Sequence, residues 1–384
     1  MPDAKLRAWW AHKQGLDGSM RGLPAAEILS RAGWARSVAG AGPYLTLFSR
    51  GGLTRAEIDT AVANLEIHEL PTARGCTYVL PAADYALGLK VGQPFTEVET
   101  KVALKLGVTE DELAKLQAAV KKALKSGPLD TDEIRAAVGP AARSLGPEGV
   151  KKGITTTLPV ALGILQSEGE IRRISLSGRL DQQRYKYALW KLKPEGTLTD
   201  LARRYFHWTG PAALAEFQWF SGLSGKAAKA AVEPLALETI QTPDTPRLIL
   251  SEDREAFEIF ETPRKPQYAL VGSLDAINIL RRNLPTLVAP EDAHRVTRPK
   301  GQVVDLPNHG IFDRGRLVGL WEFDHAAGSI VWTSFIKPDA ALKASVRETE
   351  AFVRDQLGDA RSGSLDSPQS RVPRIDALRQ VASV

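Results

Sequence analysis

Five cations, Arg172, Arg173, Arg179, Arg184 and Lys186, fall within fifteen residues of one another. They lie on and between two short runs, 170–174 and 184–190, that read as the strands of a β-hairpin. Guanidinium and ammonium groups spaced along an extended ribbon match the repeating negative charge of a phosphate backbone. Arg74 stands at the turn of a second expected hairpin, between runs at 66–70 and 76–80. Arg314 and Arg316 stand in a third, where Asp313-Arg314-Gly315-Arg316 separates Ile311-Phe312 from Leu317-Val318. Trp9, Trp10 and Trp34 are the tryptophans best placed to stack on bases. From 101 to 195 there are 17 Lys and Arg against 11 Asp and Glu, a larger surplus than the +5 of the whole chain. Charge alone does not separate a binding stripe from a solvated basic surface, because Lys121, Lys122 and Lys125 also suit the last turn of a helix.

Other chemistries lack their residues. No Gly-x-x-x-x-Gly-Lys-Ser/Thr phosphate loop occurs, the six His are scattered without metal-ligand spacing, and Cys76 is the single cysteine. No metal, cofactor or disulfide framework is expected. No apolar run is long enough for a membrane span, and the first residues lack the apolar core of a secretory signal, so a cytoplasmic protein with no membrane partner is expected. A length of 384 residues, with 43% hydrophobic and 25% charged, fits two to four ordinary globular domains.

The elements that must hold these cations repeat. Leu198, Leu201, Ala202, Tyr205 and Phe206 form one helical stripe that Thr199 can cap. Gly210-Pro211 are expected to open a second helix through Leu214, Phe217 and Phe220. Ser224 caps a third, and the period then changes towards 2 through 235–239 and 248–250. Three short helices and a hairpin form the winged-helix pattern. Helices at 24–32, 43–50 and 54–64 with the hairpin around Arg74 repeat it, with Thr54 and Glu57 as a capping box. A helical spacer at 101–125, helices at 131–138 and 156–167, and the hairpin of the five cations give another copy. Beyond 258 the pattern is β-rich, with strands expected at 309–323 and 329–336, a closing helix at 340–357 and a mobile tail after Gly358. The expected class is α+β, with three tandem winged-helix modules (1–100, 101–195, 196–257), a small C-terminal β domain (258–358) and a tail (359–384).

These blocks resemble the AlkZ-like (YcaQ-like) DNA glycosylases. The likeness rests on QGL at 14–16, RGCTYVLPAADY at 74–85, SEGEIRR at 167–173, LARRYFHWTGPAALAEFQWFSGL at 201–223 and DRGRLVGLWEF at 313–323. The resemblance implies a β-barrel-like C-terminal domain, a basic concave surface on duplex DNA, and hydrolysis of the N-glycosidic bond of alkylated bases without metal or cofactor. It also implies a Gln-x-Gln or Gln-x-Asp motif just before the second helix of the first module. The corresponding stretch here, 36–44, reads RSVAGAGPY, with neither Gln nor Asp. Two accounts stay open. Water is handled by other groups, for which Arg36, Ser37, Glu69, His309 and Asp313 are the candidates; or the motif is lost and a DNA-binding scaffold remains, a regulator or damage-recognition factor. A glycosylase would work as a monomer around one lesion, whereas a regulator would usually dimerise on a palindrome.

Overall fold

The computed structural model describes residues 3–182, 184–296 and 305–382. The chain forms two compact units, one of Met1–His68, Tyr78–Ala82 and Leu198–Val384, the other of Glu69–Thr77 and Ala83–Thr197.

The first unit starts with α1 (Ala4–Lys13), α2 (Ala25–Ala32), the short strand β1 (Ala35–Arg36), α3 (Gly42–Gly51) and α4 (Arg55–Ala63). Thr54 and Glu57 close α4 in a reciprocal capping box, as the sequence predicts. Strands β2 (Ile67–Pro71) and β3 (Thr77–Pro81) follow, and β1 pairs antiparallel with β3 through Ala35–Val79 and Arg36–Tyr78.

The second unit contains α5 (Tyr85–Lys105), α6 (Glu110–Ala123), α7 (Thr131–Val138), α8 (Gly146–Lys151) and α9 (Thr157–Ser167), then the antiparallel hairpin β4 (Ile171–Ser175) and β5 (Tyr185–Leu189). The expected helical spacer over 101–125 takes in the end of α5, which stops before Gly107, whose φ of 80° closes a helix end readily, and α6, whose first turn starts at Glu110 behind the Thr109 cap. Leu116, Val120, Leu158, Leu162, Leu165, Ile171 and Tyr187 make one buried core here.

The chain then returns to the first unit with α10 (Leu198–Thr209), α11 (Leu214–Ser221), α12 (Gly225–Val232), β6 (Leu237–Ile240), β7 (Arg247–Leu250) and α13 (Ser251–Ile259). Here α11 starts three residues beyond Pro211. Glu216 folds back to accept from the Ala213 N–H, and the carbonyl of Pro211 accepts from the buried Trp10 indole at 3.0 Å. Strands β8 (Tyr268–Val271), β9 (His309–Asp313), β10 (Arg316–Asp324) and β11 (Ser329–Ser334) form a sheet in the order β11-β10-β9-β8, with α14 (Ala276–Ile279) following β8. Among the described residues β8 and β11 are its edges, so the sheet is open.

After α15 (Ala340–Phe352), the segment expected to be loose carries α16 (Pro368–Ala382). Arg371, Ile375 and Leu378 are buried along it. Ion pairs fasten it: Arg371 to Asp359 at 2.8 Å, Arg374 to Glu322 at 3.0 Å and to Asp366 at 2.8 Å, and Arg379 to Asp324. Burial and paired charge together overcome the interior Pro373.

One buried pair ties the N-terminal elements to β8 and its helix. Arg50 meets both carboxylate oxygens of Asp275 at 2.8 and 2.7 Å, with both side chains fully buried. Gln14, from the QGL block, accepts from Arg50 at 3.2 Å and donates to the Trp208 carbonyl at 3.0 Å. That block is therefore a structural junction.

Candidate nucleic-acid interface

The register of β4 and β5 sorts the five cations. Arg172 pairs with Ala188, Arg173 with Tyr187, Ile174 with Lys186 and Ser175 with Tyr185. The Leu176 N–H donates to the Arg184 carbonyl at 2.9 Å, which continues the same register. Directly opposed residues share a face and successive residues alternate. Ile171, Arg173, Tyr187 and Tyr185 therefore face inwards, where Ile171 and Tyr187 join the core. Arg172, Ile174, Leu176, Arg184 and Lys186 occupy the outer face.

On the inner face the Arg173 guanidinium lies 4.5 Å from the centre of the Tyr185 ring. Burial disfavours its charge, but Tyr187, Tyr185 and Glu69 outweigh that and its pKa is raised. Glu69, half-buried on β2 before the turn that holds Arg74, adds to the negative field at Arg173. Arg74 itself occupies the turn in a left-handed conformation, φ 58°.

The outer face is differently partnered. Arg184 is exposed and Arg172 half-buried, and neither makes an ion pair among the described residues. Burial lowers the pKa of Arg172, with Tyr85 opposing. Lys186 reaches Glu133 at 3.1 Å, and Arg179, in the turn, is held by Asp181 at 2.8 Å. Of the five, Arg172 and Arg184 have no carboxylate partner among the described residues, and Arg184 is directly opposed to Leu176, whose exposure is 54%. That leucine was not singled out from the sequence. The signal was present as an apolar residue beside a Ser-Gly turn in an otherwise cationic ribbon.

The stretch 36–44 is filled by the chain itself. Arg36 lies over Tyr78 at 5.4 Å, and Ser37 is buried. Residues 38–41 are clamped by the strap that follows Asp359: the Ala41 N–H donates to the Arg361 carbonyl at 2.8 Å, and the Ser364 N–H donates to the Val38 carbonyl at 2.9 Å. Gly40 is required here, because a Cβ would lie 2.5 Å from the Arg361 oxygen and from the Ser362 carbonyl carbon. The close backbone approach that these small residues allow is therefore to residues 361–364.

His309 holds the same strap. Its Nε2 donates to the Ala360 carbonyl at 2.7 Å and its Nδ1 accepts from the Ser273 N–H at 2.9 Å, so both ring nitrogens are engaged. The ring also packs on Trp321, at 4.4 Å between centroids. Asp313 accepts from the Gln267 N–H at 2.9 Å and from Arg314 at 3.0 and 2.8 Å. Arg314 also donates to the Pro263 carbonyl at 3.0 Å, and Arg316 is paired with Asp292 at 3.0 Å. These four residues of the third hairpin are bonded within the fold. Trp34, expected to stack on a base, is fully buried and packs edge-on against Trp208 at 5.2 Å; Trp9 and Trp10 are buried too. Their large apolar surfaces gain more in the core than at the surface. Among the described residues no three His, Cys, Asp or Glu side chains converge as they would around a metal ion.

The model of the family described as AlkZ-like DNA glycosylase matches residues 36–363. Among solved structures, the Streptomyces sahachiroi DNA glycosylase AlkZ superposes with a TM-score of 0.69 at 18% identity, covering 94% of this chain and 99% of that one. At that identity the likeness concerns the fold. No curated protein matches the chain significantly.

Proposed function

The chain belongs to the AlkZ-like DNA glycosylase family, and from that premise we propose that it binds duplex DNA and hydrolyses the N-glycosidic bond of alkylated bases, as a cytoplasmic monomer needing no metal or cofactor. In this reading residues 1–100, 101–195 and 196–257 are winged-helix modules, and 258–358 form the C-terminal β domain. The observation that carries it is the outer face of β4–β5, where Arg172 and Arg184 stand without carboxylate partners among the described residues and Arg184 opposes the exposed Leu176. Uncompensated cations along a ribbon suit phosphates on either side of a groove. Within the same unit, Lys186 would join these cations only by exchanging Glu133 for a phosphate; Arg314 and Arg316, on the other unit, would bind phosphate only by exchanging Asp313 and Asp292.

An N7-alkylated purine already carries positive charge and leaves as a neutral base. The protein then has mainly to place a water at the sugar carbon and stabilise oxocarbenium character. Of the five candidates, Glu69 combines a carboxylate with partial exposure. Ser37 is buried, and His309 and Asp313 are fully hydrogen-bonded in the fold. We assign the water-placing role to Glu69.

A second reading, a DNA-binding protein without catalysis, is favoured by one observation: the stretch 36–44 lacks Gln and Asp, and residues 361–364 close over it. Single-turnover release of N7-methylguanine from duplex DNA, run beside binding titrations at several salt concentrations, separates the two. Release that Glu69→Gln abolishes supports the catalytic reading. Salt-dependent binding without release supports the second.

A further inference from the structure

Leu176 is a large apolar side chain left 54% exposed at the end of β4, immediately before the turn Ser177-Gly178. Nothing in the fold requires it there, since the core of this unit is closed by Ile171 and Tyr187 on the other face of the same hairpin. It shares its face with Ile174, Arg172 and Lys186, and it is directly opposed to Arg184. An apolar tip on a β-ribbon, opposed by Arg184, which has no ion-pair partner among the described residues, has the chemistry of a groove reader whose charges hold phosphates while its apolar residue meets the base stack.

We infer that Leu176 is a wedge that enters the base stack of duplex DNA, with Arg184 holding the backbone beside it and Arg172 holding it further along the ribbon. The inference rests on the duplex-DNA reading above and adds a positioning residue to it. Unstacking a base step is unfavourable and is easiest where a lesion has already weakened stacking, so a wedge favours damaged sites over intact duplex without reading sequence. Leu189, 41% exposed on the same hairpin, is opposed to Ile171 at its far end and on its other face. Ile259 and Leu365, 74% and 94% exposed, are not carried on a cationic ribbon. Because Leu176 contributes little buried surface to the fold, its substitution leaves stability almost unchanged, which makes the test clean.

The test uses the full-length protein and a duplex carrying 2-aminopurine beside a tetrahydrofuran abasic-site analogue. Saturating wild-type protein is expected to raise 2-aminopurine emission several-fold. Leu176→Ala is expected to bind roughly tenfold more weakly, the scale for losing one buried leucine, with emission near that of free duplex at saturation. Leu176→Met retains an apolar side chain of similar size and should restore the emission. Arg184→Ala should weaken binding and flatten its salt dependence while saturated emission persists. Full emission with Leu176→Ala at saturation would overturn the wedge and leave DNA binding standing. Absence of salt-dependent binding by the wild-type protein would overturn the DNA reading and the wedge with it.

Discussion

Arg172 and Arg173 are neighbours in sequence and stand on opposite faces of one hairpin, Arg172 across from Ala188 and Arg173 across from Tyr187. Their substitutions should therefore do different things. Arg172→Ala should weaken duplex binding alike for all sequences and lower the salt slope by about one, with unfolding unchanged. Arg173→Ala should leave the slope alone and cost about 0.5–2 kcal/mol of stability through the lost contact with Tyr185. Equal slopes for both variants would remove the outer face from the footprint.

Breaking the Arg50–Asp275 pair strands a charge in a fully buried place. Asp275→Asn or Arg50→Ala should destabilise by about 3–5 kcal/mol. Gln14→Ala, which removes bonds to Arg50 and the Trp208 carbonyl, should cost about 1–3 kcal/mol. Denaturant midpoints check both, and a Gln14 effect confined to DNA affinity would contradict its role as a junction.

Gly40→Ala places a methyl group against the Arg361 and Ser362 backbone. The strap has to move or the loop has to shift, at about 1–3 kcal/mol. Hydrogen exchange at Ala41 and Ser364, whose N–H groups bridge the two segments, should accelerate. Unaltered exchange at both would show that the strap does not hold the loop.

His207 borders a cavity of about 340 Å³ with Lys13, His12 and Arg31. Its pKa is lowered from 6.5 by burial first, then by Lys13 and Arg204, with Asp253 and Glu252 opposing. The folded state therefore disfavours its protonation. The associated stability is fully present above pH 6.5 and is lost as the pH falls below that value. His207→Gln should flatten this part of the stability–pH curve. An unchanged curve would place the titration elsewhere.

Much of the architecture was legible because local rules and tertiary packing agree. The capping box at Thr54, the cap at Ser224 and the hairpin around Gly315 form as their residues dictate. The tail was misjudged because its helix is signalled only by Ser367-Pro368 and by Arg371, Ile375 and Leu378, a stripe that one arginine and an interior proline disguise. The site was legible as a ribbon and illegible as a face. Composition counts five cations in the second hairpin, but pairing register and nearby carboxylates decide which of them meet solvent. The same holds for Trp34 and His309, whose types suggest chemistry and whose neighbours, Trp208 and the Ala360 carbonyl, employ them in the fold.

The most direct measurement is single-turnover release of N7-methylguanine from duplex DNA by the wild-type protein and by Glu69→Gln. Release by the wild type, with Glu69→Gln slowed by roughly 10²–10⁴ as for loss of a proton-handling group and still binding DNA, is the predicted result. Binding by both proteins without release by either would contradict the glycosylase reading and leave a DNA-binding scaffold in its place.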